Sequence, residues 1–403
     1  MNKTNPPLTD NTLITREATL ADDEALRELI AVPMTTKGIQ ISFQREPSYF
    51  RASDIVYRHK LHVVIEDTES QKKVACYSNG YRPCYINRNI QNLRYAGDLR
   101  VDHSYRGKSL VKVLGKHVKQ TMHEPNYSQM IIFDDNHAAR AAIQTGKTGM
   151  PDYYDEGLIE TLSLTSTGAK RKITAFLKQN SQQSNLQEIR SCVAEAQHVP
   201  AMNQFISDMA EYYNFIPAYN FEELAQGHRY FSGMTLSDFS LYFKGEKLVG
   251  MFGLWDQHSI KQTKILNYSS AIGMLRPIYN FLTPMTKGMR LPKLGDSIQY
   301  HVLHTLMCHP EDLALHHKML EDAYNKSKQQ GVGVVSFTLS HKDPRYQLNQ
   351  FYKGERLTGM HGFISFEGDP RPSFDKKLIP YLEVGRIQLK PEVILMKPTK
   401  VGF

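Results

Sequence analysis

The stretch that most constrains the fold of this chain runs from Tyr95 to Met122. Apolar and polar residues alternate in its first part, up to Val101, and a period of two predicts a β-strand. A short polar turn at 105–109 then leads directly into an amphipathic helix, which we expect at about 108–122. The N–H groups of a first helical turn are free, and the helix dipole favours an anion there. A strand, a basic glycine-containing turn and a helix together predict a phosphate-binding site.

The length of the chain bounds the number of domains. At 403 residues it exceeds what one ordinary core holds, so two domains of roughly 150–200 residues each are expected. A polar stretch at 166–186 is the predicted linker. We therefore expect a first domain at 12–165 and a second at 187–392, the latter with an insertion at 259–296.

The order of predicted elements is similar on both sides of this linker. In the first domain LHVVIE at 61–66 and the run at 74–81 predict a hairpin, and MIIF at 130–133 predicts a short buried strand. The segment 38–57 shows no clear period and is expected to be irregular with a helix. A late strand is expected at 381–389. The second domain repeats the order of the first without repeating its sequence.

The segment from Leu99 to Leu110, LRVDHSYRGKSL, resembles the cofactor motif of the GNAT (GCN5-related N-acetyltransferase) superfamily. Asn136, with the alanines after it, is similar to the N-x-x-A with which that family opens its next helix. The order of elements resembles the same family over nearly the whole chain. The resemblance implies an α/β (α+β) fold of two GNAT-like acyl-CoA N-acyltransferase domains in tandem, each a mixed, mostly antiparallel sheet flanked by helices.

This resemblance also implies an activity and a cosubstrate. An N-acetyltransferase of this family transfers the acetyl group of acetyl-CoA to a primary amine, by direct attack in a ternary complex. Pantetheine would pair with the exposed edge of the strand, and the pyrophosphate would lie on the turn at 106–111. The cofactor-binding residues are then expected to be Leu99, Arg100, Val101, Arg106, Gly107, Lys108, Ser109, Leu110, Val111, Asn136 and Arg140.

Acyl transfer also needs groups that accept and donate protons. Seven residues after Asn136, where the family usually has a tyrosine, this chain has Ile143. The candidate base is Asp98, on the strand beside the thioester position. Its alternative role is that of a surface carboxylate paired with Arg100, because charged strand residues are usually solvated or paired. Three tyrosines are open as the acid: Tyr95, Tyr153 and Tyr154.

The second domain departs from the pattern at its corresponding turn, 308–314. This turn has no Arg-Gly pair and carries Glu311 and Asp312, which suit a helix start but repel phosphate. We therefore expect a degenerate second domain that shapes the substrate site and does not bind CoA in the ordinary way. The histidines and cysteine between 301 and 317 lack a metal-ligand spacing, and no metal is expected.

Composition and charge limit the classes of partner that this chain is expected to bind. The net charge of +8 is spread along the chain without a dense basic run, so nucleic-acid binding ranks last among the functions considered. No run approaches the ~18 apolar residues of a membrane span, and no membrane partner is expected. Four scattered cysteines and a polar N-terminus favour a cytoplasmic location.

Two functions stay open at this point. The first is an N-acetyltransferase acting on a small-molecule or peptide amine. The alternative is a non-catalytic acyl-CoA-binding or protein-interaction module built on the same tandem fold.

Overall fold

The computed structural model describes residues 12–36, 38–106, 110–134, 149–180, 186–286, 290–383 and 385–386. Its strands β1 to β18 are, in chain order, Leu13–Glu17, Met34–Thr36, Ile39–Gln44, His62–Asp67, Lys73–Ile86, Asn89–Val101, Tyr127–Phe133, Asp152–Ser166, Ile189–Val193, Tyr213–Asn214, Ile216–Pro217, Phe239–Lys244, Lys247–Trp255, Gln262–Tyr268, His301–Cys308, Val335–Ser340, Lys353–Ser365 and Ile379–Pro380. Its α-helices α1 to α8 are Asp23–Ile30, Tyr49–Asp54, Leu110–Thr121, Lys170–Asn180, Val199–Met209, Phe221–Ala225, Ser270–Thr286 and Leu313–Gln329. No helix among these residues is both long enough and apolar enough to cross a membrane.

Most strands join one long mixed sheet. Its order is β1-β4-β5-β6-β7-β17-β8-β16-β15-β13-β12-β9, and β11 pairs with β5 beside this path. Two small sheets accompany it, one formed by β10 and β18 and the other by β2, β3 and β14. The mixed α/β architecture expected from the sequence is confirmed.

The sheet is continuous because the two parts of the chain exchange strands. We call residues 12–165 the first half and residues 187–392 the second half. Strand β17 of the second half lies between β7 and β8 of the first half, antiparallel to both. Strand β8 in turn pairs with β16 of the second half. Neither half therefore completes its sheet alone, and the segment 166–186, predicted as a linker, contains helix α4.

Both halves contain a pair of parallel strands that separate from each other. Strands β6 and β7 pair through Arg94 and Tyr95 and then diverge. Strands β15 and β16 pair through His301 and Val302 and diverge in the same way. His301 lies 207 positions after Arg94, and the strand partners of these two residues are also 207 positions apart. This register shows that the halves are structural repeats.

The elements beside the first split follow from their sequence patterns. Helix α3 buries Leu110, Leu114 and Val118 in the core beneath β4 and β5, as its helical spacing predicts. The hairpin β5–β6 turns at Asn87 and Arg88, which both have positive φ, the backbone of a two-residue type I′ turn. The long strand thus runs from a tight turn to the start of α3.

Two sequence-based expectations need correction. The segment 38–57 was expected to be irregular with a helix; the helix is present as α2, but the segment also contains β3, whose buried Ile39, Ile41 and Phe43 alternate as a strand requires. The late strand expected at 381–389 is absent at 381–383, where the structure follows β18 with irregular backbone. Side-chain contacts of buried Glu383, and not strand pairing, fix the position of that segment.

Candidate active site

A β-bulge lies at the point where β6 leaves β7. Asp98 and Leu99 of β6 together oppose the single residue Tyr77 of β5, between the regular pairs on either side. Asp98 has a φ of 55°, a backbone conformation uncommon for a residue with a side chain. An extra residue in one strand bends it and redirects the side chains that follow. The bulge therefore breaks the alternation from which the exposure of Asp98 was expected.

Asp98 is buried and doubly hydrogen-bonded. Its Oδ1 lies 3.0 Å from Arg45 Nη2, and the Tyr49 hydroxyl donates to Oδ2 at 2.8 Å. Only 6% of the Asp98 side chain and 3% of the Arg45 side chain are exposed. Burial alone would raise the pKa of Asp98, but Arg45, Arg100 and the Tyr49 hydroxyl hold it below its usual value. Asp98 is therefore a carboxylate at neutral pH.

The surface pairing of Asp98 with Arg100 is not formed. Arg100 Nη1 donates instead to the Leu99 carbonyl, at 2.9 Å. The partner found in its place, Arg45, directly follows β3, the strand that the sequence did not predict. Because β3 was not predicted, Arg45 could not be predicted as the partner of Asp98.

A chain of hydrogen bonds extends from Asp98 into the first half. Tyr49 Oη lies 2.7 Å from Ser78 Oγ, and Ser78 Oγ lies 2.7 Å from His62 Nδ1. His62 Nε2 lies 2.9 Å from Ser53 Oγ. Burial lowers the pKa of His62 to about 4, so this histidine is neutral at physiological pH. The network fixes Tyr49 and, through it, the carboxylate at the bulge.

Tyr95, the candidate acid, lies on β6 itself. Its ring is buried, with its centroid 6.5 Å from that of Tyr57 and 5.8 Å from the Arg82 guanidinium. Burial raises the pKa of Tyr95, and the charge of Asp98 raises it further. The phenol of Tyr95 therefore carries its proton at neutral pH and can donate it, although it is a weaker acid than an exposed tyrosine.

The two alternative tyrosines, Tyr153 and Tyr154, lie on β8. The sheet order places β8 three strands from β6, which is roughly 14 Å at ordinary strand spacing. The structure therefore separates them from the bulge, whereas Tyr95 is three positions from Asp98.

The expected cofactor-binding residues lie partly within the described chain. Leu99 is exposed, Arg100 and Val101 are half-buried, and all three belong to the part of β6 that has diverged from β7. Arg106 is exposed just before α3. Leu110 is the first residue of α3, and its side chain lies in the core, so its backbone alone faces the turn. Outside the described residues are Gly107, Lys108, Ser109, Asn136, Arg140 and the side chain of Val111.

The second half has a bulge at the corresponding position, and the backbone N–H of this bulge is hydrogen-bonded to a carboxylate. Thr305 and Leu306 of β15 oppose Phe252, and Thr305 has a φ of 45°. The Thr305 backbone N–H donates to Glu383 Oε1 at 3.0 Å. The Tyr219 hydroxyl donates to the other oxygen of the Glu383 carboxylate. A carboxylate of the segment after β18 thus occupies the amide at the second bulge.

Arg386 holds this segment in place. Its Nη2 lies 2.8 Å from His304 Nε2, and its Nε donates to the Tyr219 hydroxyl at 2.9 Å. Its guanidinium also lies 3.9 Å from the centre of the Tyr230 ring. Nη1 donates to the Ile55 carbonyl of the first half, at 2.8 Å. Arg386 therefore holds the segment after β18 against the second bulge and links this segment to the first half.

The helix start that follows the second bulge is also occupied. Asp312 caps α8 by accepting a hydrogen bond from the Leu315 N–H at 3.0 Å. The cap satisfies a free N–H and places a negative charge where a phosphate would lie.

The insertion at 259–296 reaches the first site. Its strand β14 pairs with β3 from residue 262 to residue 268. Just before β14, Lys261 Nζ donates to the Gly385 carbonyl at 3.0 Å. Burial lowers the pKa of Lys261, and the neighbouring Arg45 lowers it further. The insertion thus forms one wall beside Asp98 and Arg45.

Two of the histidines considered as metal ligands, His301 and His304, have other partners. His301 Nδ1 lies 2.9 Å from Ser327 Oγ, and His304 contacts Arg386. Within the part of the chain that the structure describes, no group of three or more His, Cys, Asp or Glu residues is arranged to hold a metal ion.

Several residues of this site were missed by sequence reasoning. Arg45, Tyr49 and His62 lie in or next to the segment 38–57, whose alternating Ile39, Ile41 and Phe43 are the one signal that indicates β3. Glu383 and Arg386 carried no such signal. Their contacts cross 78 and 331 positions of sequence, to Thr305 and Ile55 respectively.

Comparisons with known proteins support the fold. No protein-family model matches the sequence, and no curated protein does. Among solved structures, N-myristoyltransferase of Saccharomyces cerevisiae with bound myristoyl-CoA is similar over 94% of this chain and 92% of its own, with 10% identity and a TM-score of 0.55.

Two further similar structures carry GCN5-related names. A GCN5-related N-acetyltransferase from Sphaerobacter thermophilus matches over 92% of this chain and 99% of its own, with 10% identity and a TM-score of 0.50. The GCN5-related glucosamine N-acetyltransferase region of a fungal multi-domain GH3 β-N-acetylglucosaminidase matches over 87% of this chain and 38% of that protein, with 12% identity and a TM-score of 0.53. The chain has the GNAT fold, in the tandem form that the sequence predicted.

Proposed function

We propose that this protein is an acyl-CoA-dependent N-acyltransferase with a single acyl-CoA site, located in the first half. Acetyl-CoA is the proposed donor, and a primary amine is the proposed acceptor. One observation carries the proposal: both halves have the split strands and the bulge, but in the second half Glu383 occupies the bulge amide and Asp312 occupies the helix start. The solved structures with this fold include one with bound myristoyl-CoA.

The proposed cosubstrate position follows from the free edge of β6. Pantetheine would add to that edge beside Leu99, Arg100 and Val101, as an extended ligand adds to a sheet. The pyrophosphate would lie on the turn at 106–111, where the start of α3 and Arg106 favour negative charge. This arrangement brings the thioester to the bulge, whose backbone N–H would donate to the carbonyl oxygen as negative charge develops there.

The proposed proton transfers use the groups next to the bulge. The amine must lose a proton to attack, and the ionised carboxylate of Asp98 is proposed to accept it through a water molecule. The thiolate of CoA leaves with the electron pair of the broken C–S bond, and the phenol of Tyr95 is proposed to protonate it. Arg45 and Tyr49 would keep Asp98 charged and fixed.

The acceptor is proposed to enter between the first half and the insertion. Strands β3 and β14 line this approach, and Lys261 and the Arg45–Asp98 ion pair lie at its inner end. A small-molecule or peptide amine would reach the bulge from this side, opposite the expected CoA turn.

The test is release of free CoA thiol from acyl-CoA in the presence of a broad panel of amines. Acetyl-CoA and acyl-CoAs of increasing chain length are compared, which separates acyl transfer in general from acetyl specificity. The expected result is amine-dependent thiol release that falls about 100-fold or more in Asp98→Asn, the usual range for loss of a proton-transfer group. Asp369→Asn, which removes an exposed partner of Arg371, is the control with unchanged rate.

A second candidate function is a non-catalytic acyl-CoA-binding module. The observation that favours it is the tight pairing of Asp98 with Arg45, which makes the carboxylate a weaker base. That function predicts acyl-CoA binding without thiol release for any amine in the panel.

A further inference from the structure

Helix α7, in the insertion, carries its apolar side chains on the outside. Met274 is 78% exposed and Phe281 is 80% exposed. The other exposed apolar residues of the helix are Leu275, Ile278 and Leu282. Positions 274, 278, 281 and 282 lie on one face of a helix. We call these five side chains the α7 face.

The opposite side of α7 packs on the protein through Ile272 and Tyr279, which contact the core beneath β3 and β14, and through polar groups. Arg276 Nε and Asn280 Nδ2 donate to the Leu291 carbonyl, at 3.1 and 2.9 Å. Thr283 is buried, and its hydroxyl donates to the Asn280 carbonyl at 2.8 Å. The helix is thus anchored on its inner side by apolar and polar contacts, and its outer side is apolar as well, unlike that of an ordinary surface helix. An apolar face held outward in this way indicates a partner that is itself apolar.

The segment that carries the α7 face is basic. Residues 262–296 contain five lysines and arginines and one acidic residue, Asp296. A cavity of about 920 Å³ adjoins the inner side of the helix, where Thr283 lines it together with Lys264, Arg290 and Lys328. Asp296 lines the same cavity, so the positive charge of the segment that carries the α7 face is a net excess.

We propose that the α7 face docks on an anionic lipid surface. The helix would lie in the membrane interface with the α7 face toward the acyl chains, and the surrounding lysines and arginines would contact the lipid phosphates. Amphipathic helices with apolar side chains on one side and flanking basic residues bind membranes in this manner. The sequence-based expectation of no membrane partner considered only spanning segments, and interfacial docking needs none.

The apolar face and the basic charge near it together favour a lipid surface over another copy of this chain as the partner. Two copies joined through the α7 face would bring two insertions of net positive charge together, and like charges at an interface oppose association. A lipid surface of negative charge complements both the apolar and the basic groups. The inference is independent of acyl transfer, because it uses none of the residues proposed for that reaction.

The test is co-sedimentation of the full-length protein with vesicles. Vesicles of phosphatidylcholine with phosphatidylserine are compared with vesicles of phosphatidylcholine alone, at low and high salt. We expect binding to the anionic vesicles, at least tenfold weaker binding to the neutral ones, and a loss of binding at high salt. Phe281→Asp and Met274→Asp should each weaken binding to anionic vesicles about tenfold or more, since each removes the burial of one large apolar side chain.

The matched control is Leu20→Asp, which introduces the same charge at an apolar residue that is 77% exposed in the first half. It should bind vesicles like the unchanged protein, and all three variants should retain the circular dichroism spectrum. Absence of binding to anionic vesicles would overturn the proposal, as would equal binding by Phe281→Asp. A concentration-dependent dimer that Phe281→Asp dissociates, without vesicle binding, would assign the face to a second copy instead.

Discussion

At the scale of single residues, Asp98 joins the fold of the first half to its proposed chemistry. The bulge turns its carboxylate inward, Arg45 keeps it ionised, and Tyr49 and His62 fix its position. A buried ion pair contributes less to stability than its attraction suggests, but removing one partner leaves a buried charge alone. The residue is therefore expected to matter for both stability and activity.

Asp98→Asn tests this expectation. The substitution leaves Arg45 charged and unpaired in the interior, so the free energy of unfolding should fall by about 3 kcal/mol in a urea titration. Asp369→Asn removes an exposed ion pair and should change it by less than about 1 kcal/mol. Equal stability of Asp98→Asn and the unchanged protein would show that the ion pair does not form in solution.

His62 predicts an acid-dependent loss of stability. The unfolded chain binds a proton at this residue near pH 6.5, whereas the folded chain does so only near pH 4. The contribution of His62 is thus fully present above pH 6.5 and is lost as the pH falls toward 4, by about 3 kcal/mol over this range.

The measurement is the free energy of unfolding at pH 7 and pH 4 for the unchanged protein, His62→Gln and the exposed-histidine control His123→Gln. His62→Gln should lose less stability between the two pH values, and His123→Gln should lose the same as the unchanged protein. A pH dependence of His62→Gln equal to that of the control would mean that His62 is not buried as a neutral ring.

The burial of Asp98 could not be predicted from the sequence. Strand alternation placed it on the outer face, and one inserted residue reverses that assignment. Its partners Arg45 and Tyr49 lie 53 and 49 positions away, and no local pattern links them to β6. The start of helix α3 at Leu110, in contrast, was predictable to within two residues from local sequence alone.

At the scale of elements, helix α3 is placed by close backbone contact. A Cβ atom on Gly115 would lie 1.8 Å from the Gly149 carbonyl oxygen, so only glycine fits there. Because α3 begins at the proposed phosphate turn, its position affects the proposed CoA site as well as the core.

Gly115→Ala should therefore displace α3. We expect the free energy of unfolding to fall by about 1–3 kcal/mol, as overpacking usually costs, together with weaker acyl-CoA binding. Gly273 of α7 is the matched control, because its Cβ would have no neighbour closer than 3.9 Å. Gly273→Ala should be neutral or stabilising by up to about 1 kcal/mol, and a similar effect of both substitutions would contradict the close contact at Gly115.

Most elements were predictable because their patterns are local. The hairpin β4–β5, strand β7 and helices α3 and α8 all have the period of their structure over several residues. Strand β3 was missed although its apolar residues alternate, because the polar and aromatic residues around it obscured a six-residue signal.

At the scale of the whole molecule, the strand exchange makes the two halves one folding unit. Strand β17 makes its hydrogen bonds to β7 and β8 of the first half. Sequence patterns identify strands but not their distant partners, so the exchange was not predictable. A first half without β17 would expose two unpaired strand edges.

Unfolding should accordingly be one cooperative transition. Trp255, the sole tryptophan, reports on the second half through its fluorescence, and circular dichroism reports on all elements. The two signals should have the same urea midpoint, and residues 1–186 produced alone should not fold. Separate midpoints, or a folded fragment, would show that the halves are independent.

The central claim is that one half of this repeated fold binds acyl-CoA and the other does not. Calorimetric titration of the full-length protein with acetyl-CoA, and with a longer acyl-CoA, tests it most directly. We predict one molecule bound per chain, with affinity about tenfold or more lower in Arg106→Glu because the reversed charge opposes the pyrophosphate. Two equivalent sites per chain, no binding of any acyl-CoA, or an unchanged affinity of Arg106→Glu would contradict the account.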